Sequence, residues 1–135
     1  MGLIQLVVTS FGYLHGKPPS MPTAHHIEDV RKALRDPHVD PAFRELDGFD
    51  PRVQQRVLNT PGASDLLRTL QNRTNRLLEH NNKPFEPYLV GVAIGCAGGR
   101  HRSVVLANEL AERMRRWGWG VEVEHRDIRK PVVKR

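Results

Sequence analysis

Residues 88–105 read YLVGVAIGCAGGRHRSVV, and the reading of this stretch decides the fold. Its first part, Tyr88 to Ile94, is aliphatic and β-branched, the composition of a buried strand. The run stops at Gly95-Cys96-Ala97-Gly98-Gly99; a basic triplet, Arg100-His101-Arg102, follows, and Ser103 opens a helical pattern. A strand, a Gly-rich turn and a helix in that order suit the holding of a phosphate. Glycine lets the backbone come close, and the unbonded N–H groups of a helix start point at an anion. Guanidinium groups beside the turn add bidentate hydrogen bonds.

Outward from this stretch, Val104, Ala107, Leu110, Ala111 and Met114 recur at helical spacing. Trp117-Gly118-Trp119-Gly120 ends that helix, and residues 121–125 alternate as a strand with one solvated face. Upstream, Ser64 is expected to cap a long helix with Leu66, Leu67, Leu70, Leu77 and Leu78 inward, spent by Asn81-Asn82 and Pro84. A shorter helix starts with Asp50 as cap and Pro51 at its first position, Val53, Val57 and Leu58 forming its apolar face. Residues 23–35 admit two readings. Thr23 caps a helix carrying Ile27, Val30 and Leu34, or residues 27–31 form a strand. Leu3 to Val8 reads as the first strand rather than a signal peptide, and Thr9 to Lys17 as an ordered loop at its C-terminal end, where α/β proteins place ligands. The order predicts one α/β domain over residues 1–135: a small sheet flanked by helices, with a Gly-rich phosphate-binding loop between a strand and a helix.

Composition narrows the partners. The lone cysteine, Cys96, has no internal disulfide partner, which fits a cytoplasmic setting, and no apolar run is long enough to span a membrane. Net charge is +6, with residues 100–135 holding ten Lys/Arg against five Asp/Glu. A basic end implies an anionic partner such as RNA, or else a solvated, solubilising tail. Arg126, Arg129, Lys130, Lys134 and Arg135 are the residues for an RNA, and the tail, lying past the last strand, is expected to stand apart from a small-ligand site.

The Gly-rich turn is neither GxxxxGK[ST] nor GxGxxG. It does fit C-x5-R-S through Cys96, Arg102 and Ser103, the spacing of cysteine-dependent phosphatases, in which the thiolate attacks phosphorus and the arginine holds two oxygens. Gly95, where those enzymes usually carry histidine, and the absence of a motif-placed acid count against catalysis. His25-His26 is not an i, i+4 pair, and no spacing of Cys, His and carboxylates suggests a metal or any other cofactor.

Residues 92–104, VAIGCAGGRHRSV, closely resemble the VAIGCTGG-(K/Q/R)-HRSV segment of the C-terminal domain of the RNase adapter RapZ family. Ser10-Phe11-Gly12-Tyr13 with Gly16 is similar to its SFG(F/Y)K(Y/H)G loop, Asp29-Val30-Arg31 to its DVRF strand, Asp36-Pro37-His38 to its NPHWDP turn, and His125-Arg126 with Arg129-Lys130 to its HR(D/T)LEKRK end. Leu14 replaces the loop lysine and Ala97 the threonine after the cysteine. The resemblance covers the whole chain. It implies a stand-alone version of a domain that elsewhere follows a nucleotide-binding domain, and it favours the strand over residues 27–31. It further implies sensing of glucosamine 6-phosphate, binding of small regulatory RNA and self-association as a homodimer or higher homo-oligomer, without catalysis.

Two functions from different classes follow as expectations. The first is a non-catalytic binding or sensor domain for a small phosphorylated metabolite, also serving as an RNA-binding adapter. Its ligand is held by Cys96, Ala97, Gly98, Gly99, Arg100, His101, Arg102 and Ser103, with Ser10, His15, Asp29 and Arg31 approaching from neighbouring strand ends. Asp29 suits an ammonium or hydroxyl, or equally an ion pair with Arg31. The second is the cysteine phosphatase, with Cys96 and Arg102 as its catalytic pair.

Overall fold

The computed structural model describes residues 2–134, apart from the side chain of Val39. Strands β1 (Leu6–Gly12), β2 (His26–Asp29), β3 (Val90–Cys96) and β4 (Val121–His125) form one sheet in the order β2-β3-β1-β4, every pair parallel. Helices α1 (Pro51–Leu58) and α2 (Ala63–Asn81) connect β2 to β3, and α3 (Arg102–Arg116) connects β3 to β4. This is the α/β architecture expected from the sequence.

The side-chain period of two sorts the residues of each strand onto opposite faces. On one face Leu6, Val8, Val90, Val92 and Ile94 form a single buried cluster with Val53 and Val57 of α1, Leu67, Leu70 and Leu78 of α2, and Leu106 and Leu110 of α3. All three helices therefore cover this face. Truncating one of these leucines to alanine costs roughly 2–5 kcal/mol. The other face carries a small cluster, Phe11, Ala24 and Ala93 with Tyr13, formed where the segment after β1 folds back over the sheet.

Local chemistry explains the boundaries. Asp50 caps α1 by accepting the Arg52 N–H, with Pro51 at the first helical position. Gly62, at φ 91°, precedes α2 at its N-cap, so Ser64 sits inside the first turn and is not the cap. Residues 26–29 are a strand, because they pair in parallel with residues 92–95 of β3; the helical alternative fails. Val30 and Leu34 are buried as expected, but from the turn after β2. Strand β1 starts later than expected, at Leu6, where the Gly120 carbonyl accepts the N–H groups of Gln5 and Leu6, and it runs on to Gly12, so part of the expected loop is strand. Among the described residues, no helix is long and apolar enough to cross a membrane.

The sense of the connections across the sheet reverses between β1 and β3. From β1 the chain passes over β3 to reach β2; from β3 it passes over β1 to reach β4. In open parallel sheets such a switch point opens a crevice at the C-terminal ends of the strands. Gly12 ends one of these strands, and the Gly-rich loop leaves the other.

Candidate functional site

The two strand ends touch through backbone. A Cβ placed on Gly12 would lie 2.4 Å from the Gly98 carbonyl carbon, and one placed on Gly99, whose φ is 70°, would lie 2.5 Å from the Gly12 nitrogen. Only glycine permits both the approach and the dihedral. The crossing holds residues 97–101 in a fixed course at the start of α3. Leu14 N–H donates to the Ala97 carbonyl at 3.0 Å and Gly48 N–H to the Arg100 carbonyl at 2.8 Å. The loop thus turns carbonyls toward the protein, while among the described residues the N–H groups of residues 98–101 have no protein acceptor. A row of unspent N–H groups at a helix start is the chemistry that binds anions.

The basic triplet beside these N–H groups does something other than grip an anion. Arg102 is 2 % exposed. It pairs with Asp36 at 3.0 Å and donates to the carbonyls of Arg31 and Leu34, each at 3.0 Å. Its guanidinium holds the 30–36 turn after β2, and only its Nε lacks a partner. The expectation that this side chain points at a phosphate is corrected: a buried guanidinium needs a counter-charge, and Asp36 and the carbonyls provide that environment. Arg100 likewise donates to Leu46 O at 2.9 Å, to Glu45 O at 2.6 Å and to Ile128 O at 3.4 Å. His101 donates from Nε2 to Phe43 O at 2.8 Å, and burial holds its pKa below the usual histidine value despite that bond. All three side chains bind protein loops; Gly98, Gly99, Arg100 and His101 offer backbone N–H groups.

The remaining expected residues separate. His15, in the 3-10 turn Tyr13–His15 after β1, lines the small cavity at the loop. Ser10 is fully buried on the helix-covered face, 2.6 Å from His125 Nδ1, while His125 Nε2 meets Asn108 Oδ1 at 3.0 Å. Asp29 and Arg31 are spent on each other: Arg31 donates from N, Nε and Nη2, with Nη2 to Oδ2 at 2.6 Å, and its guanidinium lies 3.8 Å from the centre of the Tyr13 ring. That pairing holds the Asp29 carboxyl below its ordinary pKa. Cys96 is buried in the main core, its thiol donating to Ser103 Oγ at 3.2 Å. The phosphatase pair is therefore not assembled: the thiol faces the core, the arginine faces Asp36, and Ser103 is buried beside the thiol.

The basic end also differs from expectation. Arg126 donates to both oxygens of Asp127, to Lys17 O at 2.6 Å and to Gly12 O at 3.4 Å. Lys130 pairs with Asp127 at 2.6 Å. Among the described residues neither Arg129 nor Lys134 has an ion-pair partner, and Arg135 lies outside the described residues. The tail does not stand apart. Residues 130–133 line the same cavity as His15, His38 and Gly98, leaving about 10 Å³ between them.

Two contributors were missed in the sequence. Asp127, fully buried by its neighbours, accepts the Gly12 N–H at 2.7 Å. Burial pushes its carboxyl up, but the bonds from Arg126, Lys130 and Gly12 outweigh this and its pKa lies below the usual value. A lone acid inside a basic tail was the available signal. His38 lies across the cavity in the 3-10 turn Pro37–Val39, just after the turn that Arg102 secures; its place in the Asp-Pro-His turn was visible, but its proximity to the loop was not. Among the described residues, no group of three His, Cys, Asp or Glu is placed to hold a metal ion.

Over 127 residues the chain is 40 % identical to a nucleotide-binding protein of Heliobacterium modesticaldum, covering 94 % of this chain and 40 % of that protein. A nucleotide-binding protein of Rhodospirillum centenum is 42 % identical over 125 residues, covering 93 % of this chain and 36 % of that protein. One from Acidothermus cellulolyticus is 39 % identical over 130 residues, with 93 % and 40 % covered. The chain thus spans about two fifths of the length of these relatives. Residues 4–129 match the family described as RapZ C-terminal domain, and the chain belongs to that family.

Proposed function

We propose that this is a regulatory, non-catalytic binding domain whose ligand is a small phosphorylated metabolite, a sugar phosphate such as glucosamine 6-phosphate. The observation that carries the reading is the row of N–H groups of residues 98–101, which have no protein acceptor among the described residues and sit at the switch-point crevice and the start of α3. The phosphate oxygens accept from these groups. His15 and His38, across the crevice, meet the sugar. Arg100 and Arg102 act at one remove, by fixing the loops that form the walls. The relatives are described as nucleotide-binding proteins, and a nucleotide is also a phosphorylated small molecule, so nucleotides belong in the same screen.

A ligand that binds only the folded state raises the apparent melting temperature. Glucosamine 6-phosphate is expected to raise it in a concentration-dependent way, with a smaller rise from inorganic phosphate and none from glucosamine. If glucosamine stabilises as well as its phosphate, the anion is not the recognised group and the reading fails.

RNA binding is the second element of the proposal, resting on Arg129 and Lys134, cations without an ion-pair partner among the described residues. With Arg126 and Lys130 occupied by Asp127, the patch is smaller than the basic count suggests. Deleting residues 134–135 should flatten the salt dependence of RNA binding by about 0.7–0.9 per lost phosphate contact in log affinity against log salt. Self-association belongs to the same proposal and is read from sedimentation. A cytoplasmic location is proposed with it.

A further inference from the structure

We propose that the C-terminal segment is the outer wall of the anion site: Lys130 is its cation, and residues 131–133 are a cover that must swing aside to admit a ligand. The assignment of Lys130 as a ligand residue rests on the anion reading above; the cover does not.

The chain is pinned up to Lys130 and no further. Asp127 takes the Gly12 N–H on Oδ2 and Lys130 Nζ on Oδ1, so the acid under the glycine crossing also fixes the lysine. Lys130 N–H donates to the Asp127 carbonyl at 3.1 Å, and Arg100 reaches the Ile128 carbonyl. Beyond that point, among the described residues, no hydrogen bond or ion pair holds residues 131–133. Val132 and Val133 are half-buried and line the cavity from outside. About 10 Å³ remains beneath them, room for about one water and far less than a sugar phosphate needs. The lysine is therefore held at the rim by a fixed acid, while the cover is held by apolar contact alone. Lys130 shares Asp127 with Arg126, so it can turn to an anion without leaving the acid unpaired.

Two measurements on the full chain test this. The first needs no ligand. The amides of residues 98, 100 and 101, which line this cavity, have no acceptor among the described residues, so the cover is expected to slow their hydrogen exchange. They should exchange at least tenfold more slowly than in an unfolded peptide, and Val132→Ser with Val133→Ser should abolish that protection without shifting the exchange of β3. Equal exchange in wild type and variant overturns the cover. The second is calorimetric titration with glucosamine 6-phosphate. Lys130→Met should weaken it at least tenfold, whereas Lys83→Met, the same charge change at an exposed lysine outside the cavity lining, should not. Equal losses in the two variants assign the effect to net charge and overturn the role of Lys130. If wild type binds neither glucosamine 6-phosphate nor inorganic phosphate, the anion reading and the lysine's role fall together, and the exchange result decides the cover separately.

Discussion

Gly12 and Gly99 cross with no room for a side chain on either: the added Cβ would stand 2.4 Å from Gly98 C in one case and 2.5 Å from Gly12 N in the other. The neighbours are backbone atoms, so neither collision is relieved by a rotamer change. Gly12→Ala should cost about 1–3 kcal/mol, the range for overpacking. Gly99→Ala should cost more, because its φ of 70° adds strain. Gly62→Ala, with φ 91° but open space around it, isolates the strain alone and should be the mildest of the three. Urea denaturation gives the order.

Arg102→Ala should be among the most damaging single changes, at about 3–5 kcal/mol, because it leaves Asp36 and two carbonyls facing a vacated interior. Lysine should not rescue it, since one ammonium cannot reach the carbonyls and the carboxylate in the planar geometry of a guanidinium. Loss of ligand binding in this variant would follow from the 30–36 turn losing its anchor. The discriminating measurement is the thermal midpoint without ligand: an unchanged midpoint would mean that Arg102 does not secure that turn.

Asp127 gives a pH signature. Its carboxyl titrates lower in the folded state than in the unfolded chain. The unfolded chain therefore takes up the proton first, near the ordinary value of about 3.9. The stabilisation is fully present above that pH and is lost as pH falls through the lower, folded-state value. Asp127→Asn should be less stable than wild type at neutral pH, and the gap should begin to narrow below about pH 4. Thermal melts from pH 7 to pH 3 for both chains test it; a gap that does not narrow at all as pH falls below about 4 would mean that Asp127 acts through shape rather than charge.

The pattern of the sheet and helices was legible because each rests on local signals. Asp50-Pro51 starts α1, and the repeat from Val104 to Met114 marks the buried face of α3. Residues 23–35 were ambiguous for a physical reason: Ile27, Val30 and Leu34 have helical spacing, yet only Val30 and Leu34 are buried, both from the turn beyond β2. The glycines of the loop were legible as a close approach, though not their partner, since Gly12 comes from the other strand end. The sequence does not decide where the arginines point, because a guanidinium at a helix start can reach either into the crevice or across to a neighbouring loop. Asp36 and the Glu45 and Leu46 carbonyls decide between these, and their closeness is a product of the fold. The same holds for the tail, whose return to the site depends on one buried acid.

Cys96 brings together the reading that the sequence spacing offered and the one that the fold supports. A nucleophilic thiol must be ionised and reach its substrate. This one is 2 % exposed, packed among the apolar residues under α3, and donates to Ser103 Oγ. Its place at the end of β3 puts it on the helix-covered face, because it alternates with Gly95, which meets Phe11 and Tyr13 on the other. The folded protein should therefore react with a thiol reagent such as DTNB at least a hundredfold more slowly than the chain in denaturant. Wild type and Cys96→Ala should show the same background rate with p-nitrophenyl phosphate. Cys96→Ala should still be stabilised by glucosamine 6-phosphate, since the backbone N–H groups of residues 98–101 remain. Rapid labelling of the native thiol, together with turnover that disappears in the alanine variant, would restore the phosphatase and remove the sensor reading.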